Sequence, residues 1–180
     1  RLGRVLAADL LRPSLFFVGR WVFSPRTDWE GRRRRFALAT SSLRPPRGTR
    51  VEERPVGGVP AERLTPRAGT DAGTLLYLHG GGYCTGSARG YRALAGTLAA
   101  ELRCAGVVPD YRLAPEHPWP AQLEDARRAY EGLLAEGVAP ESIVVAGDSA
   151  GGHLSLSLAL ALRDARLPQP AAIGLISPWL

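Results

Sequence analysis

The sequence predicts an α/β fold: a mostly parallel sheet covered by helices on both faces. Three observations carry that prediction. Short apolar runs alternate with longer segments of helical periodicity. Two of the apolar runs, Leu75–Leu78 and Ile143–Ala146, end in glycine-rich turns. The second turn leads straight into an Ala- and Leu-rich stretch, so strand, turn and helix follow one another over residues 143–164.

The elements follow in order. Residues 1–42 read as helical, with Leu2, Val5, Leu6, Leu10 and Leu11 on one face and Pro13 and Pro25 as interruptions. Pro45-Pro46-Arg47-Gly48 marks a boundary, so residues 1–45 form an N-terminal helical segment and 46–180 the α/β core. Strands are expected near 50–56, 61–66, 74–79, 105–110, 142–147 and 171–176, and helices over 88–102, 120–136 and 150–164. In the helix at 120–136, Leu123, Ala126, Tyr130, Leu133 and Leu134 share a side, and Gly137 stops it. Residues 154–162 alternate Leu with Ser or Ala like a half-buried strand. Length, richness in Ala and Leu and the lack of β-branched residues make this segment a helix, apolar nearly all round and therefore buried.

Two motifs carry chemistry. Gly147-Asp148-Ser149-Ala150-Gly151 is a G-x-S-x-G turn between strand and helix. Such a turn holds its serine in a strained conformation that pushes the hydroxyl out of the sheet, and glycines flank it where a Cβ would clash. Ser149 is the candidate nucleophile. His79-Gly80-Gly81-Gly82 follows the apolar run at 75–78. Three glycines leave backbone N–H groups bare to an approaching carbonyl oxygen, and an oxyanion donor is worth about 2.7–4 kcal/mol in a transition state. A phosphate loop would end in Lys-Ser or Lys-Thr; here Tyr83-Cys84 follows.

These motifs, with D-Y-R-L-A-P-E-H-P-W-P-A at 110–121 and L-I-S-P-W at 175–179, resemble the hormone-sensitive-lipase-type branch of the α/β-hydrolases, bacterial esterases above all. R-P-P-R-G at 44–48 and G-G-V-P-A-E at 57–62 extend the resemblance from about Leu43 to Leu180. It implies the α/β-hydrolase fold and a serine hydrolase acting on short- to medium-chain acyl or acetyl esters, with lactones and amides as variants. It implies an oxyanion hole from the N–H groups of Gly81, Gly82 and Ala150, and no cofactor. It also implies that residues 1–45 supply part of a cap, in which Phe16, Phe17, Trp21 and Phe23 either line an acyl pocket or pack on the core. Tyr83 and Trp179 are pocket-wall candidates, Trp179 because it follows the carboxyl end of a strand. Plant gibberellin receptors of the same fold bind small molecules, which leaves a non-catalytic receptor as the alternative.

A serine of ordinary pKa needs a histidine base and an orienting acid, in the chain order Ser, Asp or Glu, His. After Ser149 the sequence offers only Asp164 and His153. Asp164 reads as a surface charge, and His153 as a packed, hydrogen-bonded residue pointing along its helix. His79 is expected to anchor the glycine loop and His117 to order its own turn. Asp148 takes a structural hydrogen bond, and Asp110, Arg112, Glu116 and Asp125 form ion pairs that fix the loop under the site. The acid–histidine pair is therefore expected beyond Leu180, with the fold cut before its last strands, the strand at 171–176 left as an open edge and the fragment itself inactive.

Composition narrows the partners. All 23 basic residues are arginine, and the formal charge is +6. Arg32–Arg35 and the arginines between 44 and 54 lie outside the motifs and read as a solvated face, so no nucleic-acid partner is expected. Arg4, Asp9, Arg12 and Arg20 break the apolar stretch over residues 2–23, which excludes stable membrane insertion there. Cys84 and Cys104 are expected as free thiols, and no metal-ligand spacing occurs. The expected partner is a small-molecule ester, with a homo-oligomer compatible. A cytoplasmic location is expected. The chain begins at Arg1 and holds no Met, so its natural start is expected upstream and a targeting signal there stays open.

Overall fold

The structure, a computed structural model, describes residues 16–67 and 69–180. Leu2, Val5, Leu6, Leu10, Leu11 and Pro13 lie outside the described residues. Residues 16–22 are helical, and helix α1 (Trp29–Thr40) follows. Asp28 starts α1: its Oδ1 accepts from the Gly31 N–H at 2.8 Å.

Six strands form one sheet: β1 (Arg50–Glu53), β2 (Ala61–Thr65), β3 (Thr74–Leu78), β4 (Ala105–Pro109), β5 (Ile143–Asp148) and β6 (Ala172–Ile176), in the spatial order β1-β2-β4-β3-β5-β6. The pairs β3–β4, β3–β5 and β5–β6 are parallel, and β1–β2 and β2–β4 antiparallel. The first strand is shorter than expected. The chain turns back through Gly57 and Gly58, both at positive φ, and Val56 and Val59 close that turn with two 2.9 Å bonds.

Helices α2 (Ala88–Glu101), α3 (Ala121–Ala135) and α4 (Ala150–Asp164) cover the sheet. Side chains alternate along a strand, so β3 serves both faces. Leu76 and Leu78 join Tyr130 and Leu133 of α3 and Leu154, Leu158 and Leu162 of α4; Leu75 and Tyr77 join Ala88, Ala95 and Ala99 of α2. Full burial of a side chain of this size is worth about 2 kcal/mol. Leu154, Leu158 and Leu162 recur every four residues, which settles the alternating stretch as helix. It is not apolar-covered all round: Leu160 stays 42 % exposed.

The two sheet edges differ. β1 carries Arg50, Glu52 and Glu53, charges that suit a strand facing water. On β6, Ile173, Leu175 and Ile176 are each 38–42 % exposed. Between these edges, β3 and β5 end side by side, Leu78 opposite Gly147, and both motifs begin there.

Candidate active site

Ser149 occupies the N-cap position of α4, where a serine ordinarily bonds the first free N–H groups of its helix. It does not. Its φ of 51° and ψ of −120° turn the side chain away, and the exposed hydroxyl makes no capping bond. A non-glycine residue there is strained and persists only where its surroundings hold it. Here the Ser149 N–H donates to Ile176 O at 3.0 Å, and Ser149 O accepts from the N–H groups of Trp179 (2.9 Å) and His153 (3.1 Å). The flanking glycines are required by close approach. A Cβ on Gly151 would lie 2.0 Å from Leu78 O and one on Gly147 2.4 Å from the same atom.

The glycine loop is fastened to this turn from behind by Asp148. Its carboxylate accepts from the Gly80 N–H (2.9 Å), Tyr77 Oη (2.9 Å) and Tyr91 Oη (3.1 Å). Burial, followed by the charge of Asp148, pushes both phenols up, so they remain donors. His79 is fully buried against Tyr111, ring centroids 4.2 Å apart, and its Nδ1 donates to Gly80 O at 2.9 Å. Tyr111 Oη donates to His79 O at 2.5 Å. Burial lowers the His79 pKa to about 4. Gly81 (φ 123°) and Gly82 (φ 61°) complete the loop; a Cβ on Gly82 would meet nothing within 4 Å. Among the described residues the N–H groups of Gly81, Gly82 and Ala150 have no hydrogen-bond acceptor, which leaves three donors for an anionic oxygen.

In front lies an apolar cavity of about 410 Å³ lined by Tyr83, Trp119, His153, Trp179 and Leu180. His153 is packed and hydrogen-bonded as expected, but it does not point along its helix. Its ring turns out of the helix to this cavity, and its Nδ1 meets Tyr83 Oη at 2.6 Å. Sequence reasoning missed Trp119 as a wall, although its setting in Pro118-Trp119-Pro120 placed a large apolar ring on a loop. Phe16, Phe17, Trp21 and Phe23 neither line this cavity nor pack on the core; all four are exposed.

The sequence pattern of the family described as alpha/beta hydrolase fold matches residues 75–180. The chain belongs to the α/β-hydrolase family, in its hormone-sensitive-lipase-type branch. LipR of Mycobacterium tuberculosis is 49 % identical over 156 residues, 87 % of this chain and 51 % of LipR. An acetyl-hydrolase of Streptomyces hygroscopicus is 47 % identical, covering 69 % of this chain and 41 % of its own. The crystal structure of an esterase from the bacterial hormone-sensitive lipase family superposes with a TM-score of 0.84 at 39 % identity, over 93 % of this chain and 58 % of that one. The chain thus spans about half the length of the curated relatives it matches.

In this member of the family the loop after β4 is tied down by charge. Asp125 of α3 accepts from the Arg112 N–H (2.8 Å) and from the guanidiniums of Arg112 (2.9 Å) and Arg128 (2.7 Å). Burial pushes the Asp125 carboxyl up, but these partners hold it below its ordinary value. Two expectations need correction. Among the described residues Asp110 forms no ion pair; its Oδ1 accepts from the Ala88 N–H, and burial raises its pKa. Glu116 pairs with Arg33, which also donates to Cys84 O (2.9 Å) and Ala114 O (2.8 Å). Arg32–Arg35 is therefore not only a solvated face: Arg33 locks α1 onto the loops that carry Tyr83 and Trp119. The Arg33 bonds hold the Glu116 carboxyl down at about 2. Cys84 and Cys104 are free thiols. Among the described residues no three His, Cys, Asp or Glu side chains could hold a metal ion, and no helix is long and apolar enough to cross a membrane.

Proposed function

We propose that the protein cleaves carboxylic esters by acyl transfer through Ser149. One observation carries this reading: a serine at a helix N-cap that gives up its cap and sits at positive φ, where β5 ends next to the strand that leads into the glycine loop. In the proposed step, Ser149 Oγ attacks the ester carbonyl carbon and its proton passes to a histidine. The carbonyl oxygen becomes an oxyanion facing the N–H groups of Gly81, Gly82 and Ala150, at the positive end of α4. Collapse expels the alcohol, which takes the proton from the histidine, and leaves an acyl ester on Ser149; water then releases the acid. The relatives named acetyl-hydrolase and esterase support this class of substrate. The open apolar cavity suits short to medium acyl groups.

The base is proposed to come from outside these 180 residues. Among the described residues no histidine ring is hydrogen-bonded to a carboxylate. His153 Nδ1 is engaged by Tyr83, His79 is buried behind the loop, and His117 lies exposed on another loop. Residues 1–180 alone are therefore proposed to be inactive, and residues 1–45 to belong to a cap.

The test uses the protein as encoded between its natural start and stop codons. Ser149→Ala should lower kcat for p-nitrophenyl acetate by at least about 10⁴-fold with an unchanged melting temperature. Turnover near the wild-type rate would remove Ser149 as nucleophile. A wild type that hydrolyses no ester yet binds apolar esters would instead favour a receptor.

A further inference from the structure

The glycine loop is fastened at two ends, and only the rear fastening is explained by the elbow itself. At the rear, Asp148 holds the Gly80 N–H. At the front, Tyr83 directly follows Gly82 and stands at φ 62°. A bulky side chain in that left-handed region is an outlier that must be held from outside. Three contacts hold it. Tyr83 O accepts from the Ala114 N–H at 2.9 Å, its ring lies among Trp119, Trp179 and His153, and its hydroxyl meets His153 Nδ1 at 2.6 Å.

The last contact is the informative one. His153 stands one helical turn after Ser149, and its N–H donates to Ser149 O. The Tyr83–His153 bond therefore links the residue next to the oxyanion donors with the first turn of the helix that bears the nucleophile. Burial raises the Tyr83 phenol, so it keeps its proton and has one to donate. Tyr83 Oη is taken as the donor to His153 Nδ1, a direction that the His153→Asn replacement tests.

We propose that Tyr83 and His153 act together as positioning residues, setting the Gly81–Gly82 donors relative to Ser149 through their shared hydrogen bond. The proposal rests on the ester-hydrolase reading. It assigns His153 no proton transfer with substrate. What the pair supplies is placement, and a displacement of about 1 Å at a reacting centre costs up to roughly 10²-fold in rate.

The experiment is steady-state kinetics on p-nitrophenyl acetate with the full encoded protein and five variants. Tyr83→Phe keeps the ring and removes only the hydroxyl; His153→Leu removes the acceptor. Each should lower kcat about tenfold with KM within about twofold, and the double variant should be no slower than either single one. His153→Asn places an acceptor where Nδ1 stands and should restore most of kcat, whereas His153→Gln places it one bond further out and should not. Labelling of Ser149 by a fluorophosphonate separates the two ideas. Labelling retained with wild-type kcat in Tyr83→Phe, a change in KM alone, or additive losses overturns the positioning pair and leaves the nucleophile standing. A wild type that neither turns over ester nor labels at Ser149 overturns both.

Discussion

The two walls of the glycine loop are built from opposite materials. The rear wall, Asp148 with Tyr77, Tyr91, His79 and Tyr111, is buried or half-buried, and its polar groups are paired with one another. The front wall, Tyr83, Trp119, His153 and Trp179, is aromatic and open, and the Tyr83–His153 bond joins two of its side chains. The difference separates two jobs. A paired, buried network fixes geometry because each broken bond strands a donor or acceptor away from water. An open apolar wall accepts a range of groups and loses little when one of its members is trimmed. Mutations in the rear wall should therefore act on stability, and those in the front wall on turnover, through kcat at the Tyr83–His153 pair and through substrate KM at the Trp119 and Trp179 rings.

The largest expected effect is in the rear wall. Asp148→Ala removes the acceptor for three donors, Gly80 N–H and the phenols of Tyr77 and Tyr91. Each donor stranded in the interior costs about 1–3 kcal/mol, and Tyr91 can recover part of it through water. We expect a loss of about 4 kcal/mol in chemical denaturation of the encoded protein. A loss under about 1 kcal/mol would mean that the rear wall is no more committed than the front, and the contrast would fail.

The second test uses acid. His79 has a pKa of about 4 in the folded state against an ordinary value of 6.5, because burial disfavours the charged ring. Between these values the unfolded chain binds a proton that the folded chain refuses, so stability rises with pH. The contribution is complete above pH 6.5 and is lost as pH falls towards 4. It amounts to about 3 kcal/mol, with a slope near 1.4 kcal/mol per pH unit. Denaturation curves at pH 7, 6, 5 and 4.5 should show that slope. A flat profile over this window would show that His79 takes up its proton without penalty.

These two walls were not equally legible in the sequence. The elbow, the glycine loop and the strand–helix alternation come from local rules. A glycine two residues from a serine at a strand end, or Leu154, Leu158 and Leu162 within an Ala- and Leu-rich run, means much the same wherever it occurs. Asp148 was readable as structural because neighbours in a tight turn point in different directions. Its partners were not readable, since Tyr77 and Tyr91 reach it only through sheet register and helix packing. The front wall was harder still. Whether His153 faces core or cavity depends on the rotation of α4 against β5. Trp119 becomes a wall only because Asp125 and Arg33 pin the loop that carries it, and Arg33 lies 83 residues from Glu116, within what looked like a plain basic run.

The smallest effect on stability, and the sharpest test of the contrast, is Trp119→Ala. Trp119 is about half exposed, 49 %, and its ring lies against Tyr83 and His153, each 5.9 Å away between centroids. Removing it opens space that is already continuous with solvent, so water can enter and no closed cavity forms. The cavity penalty that makes buried aromatic deletions cost 3–5 kcal/mol is therefore missing, and the loss should stay below about 1 kcal/mol. The apolar area offered to an acyl chain does shrink. KM for p-nitrophenyl butyrate should rise about threefold to tenfold, while that for p-nitrophenyl acetate, whose acyl group is two carbons shorter, should move less. Should both esters lose the same factor in kcat with KM untouched, Trp119 would join Tyr83 and His153 as a positioning residue, and the front wall would set geometry as the rear wall does.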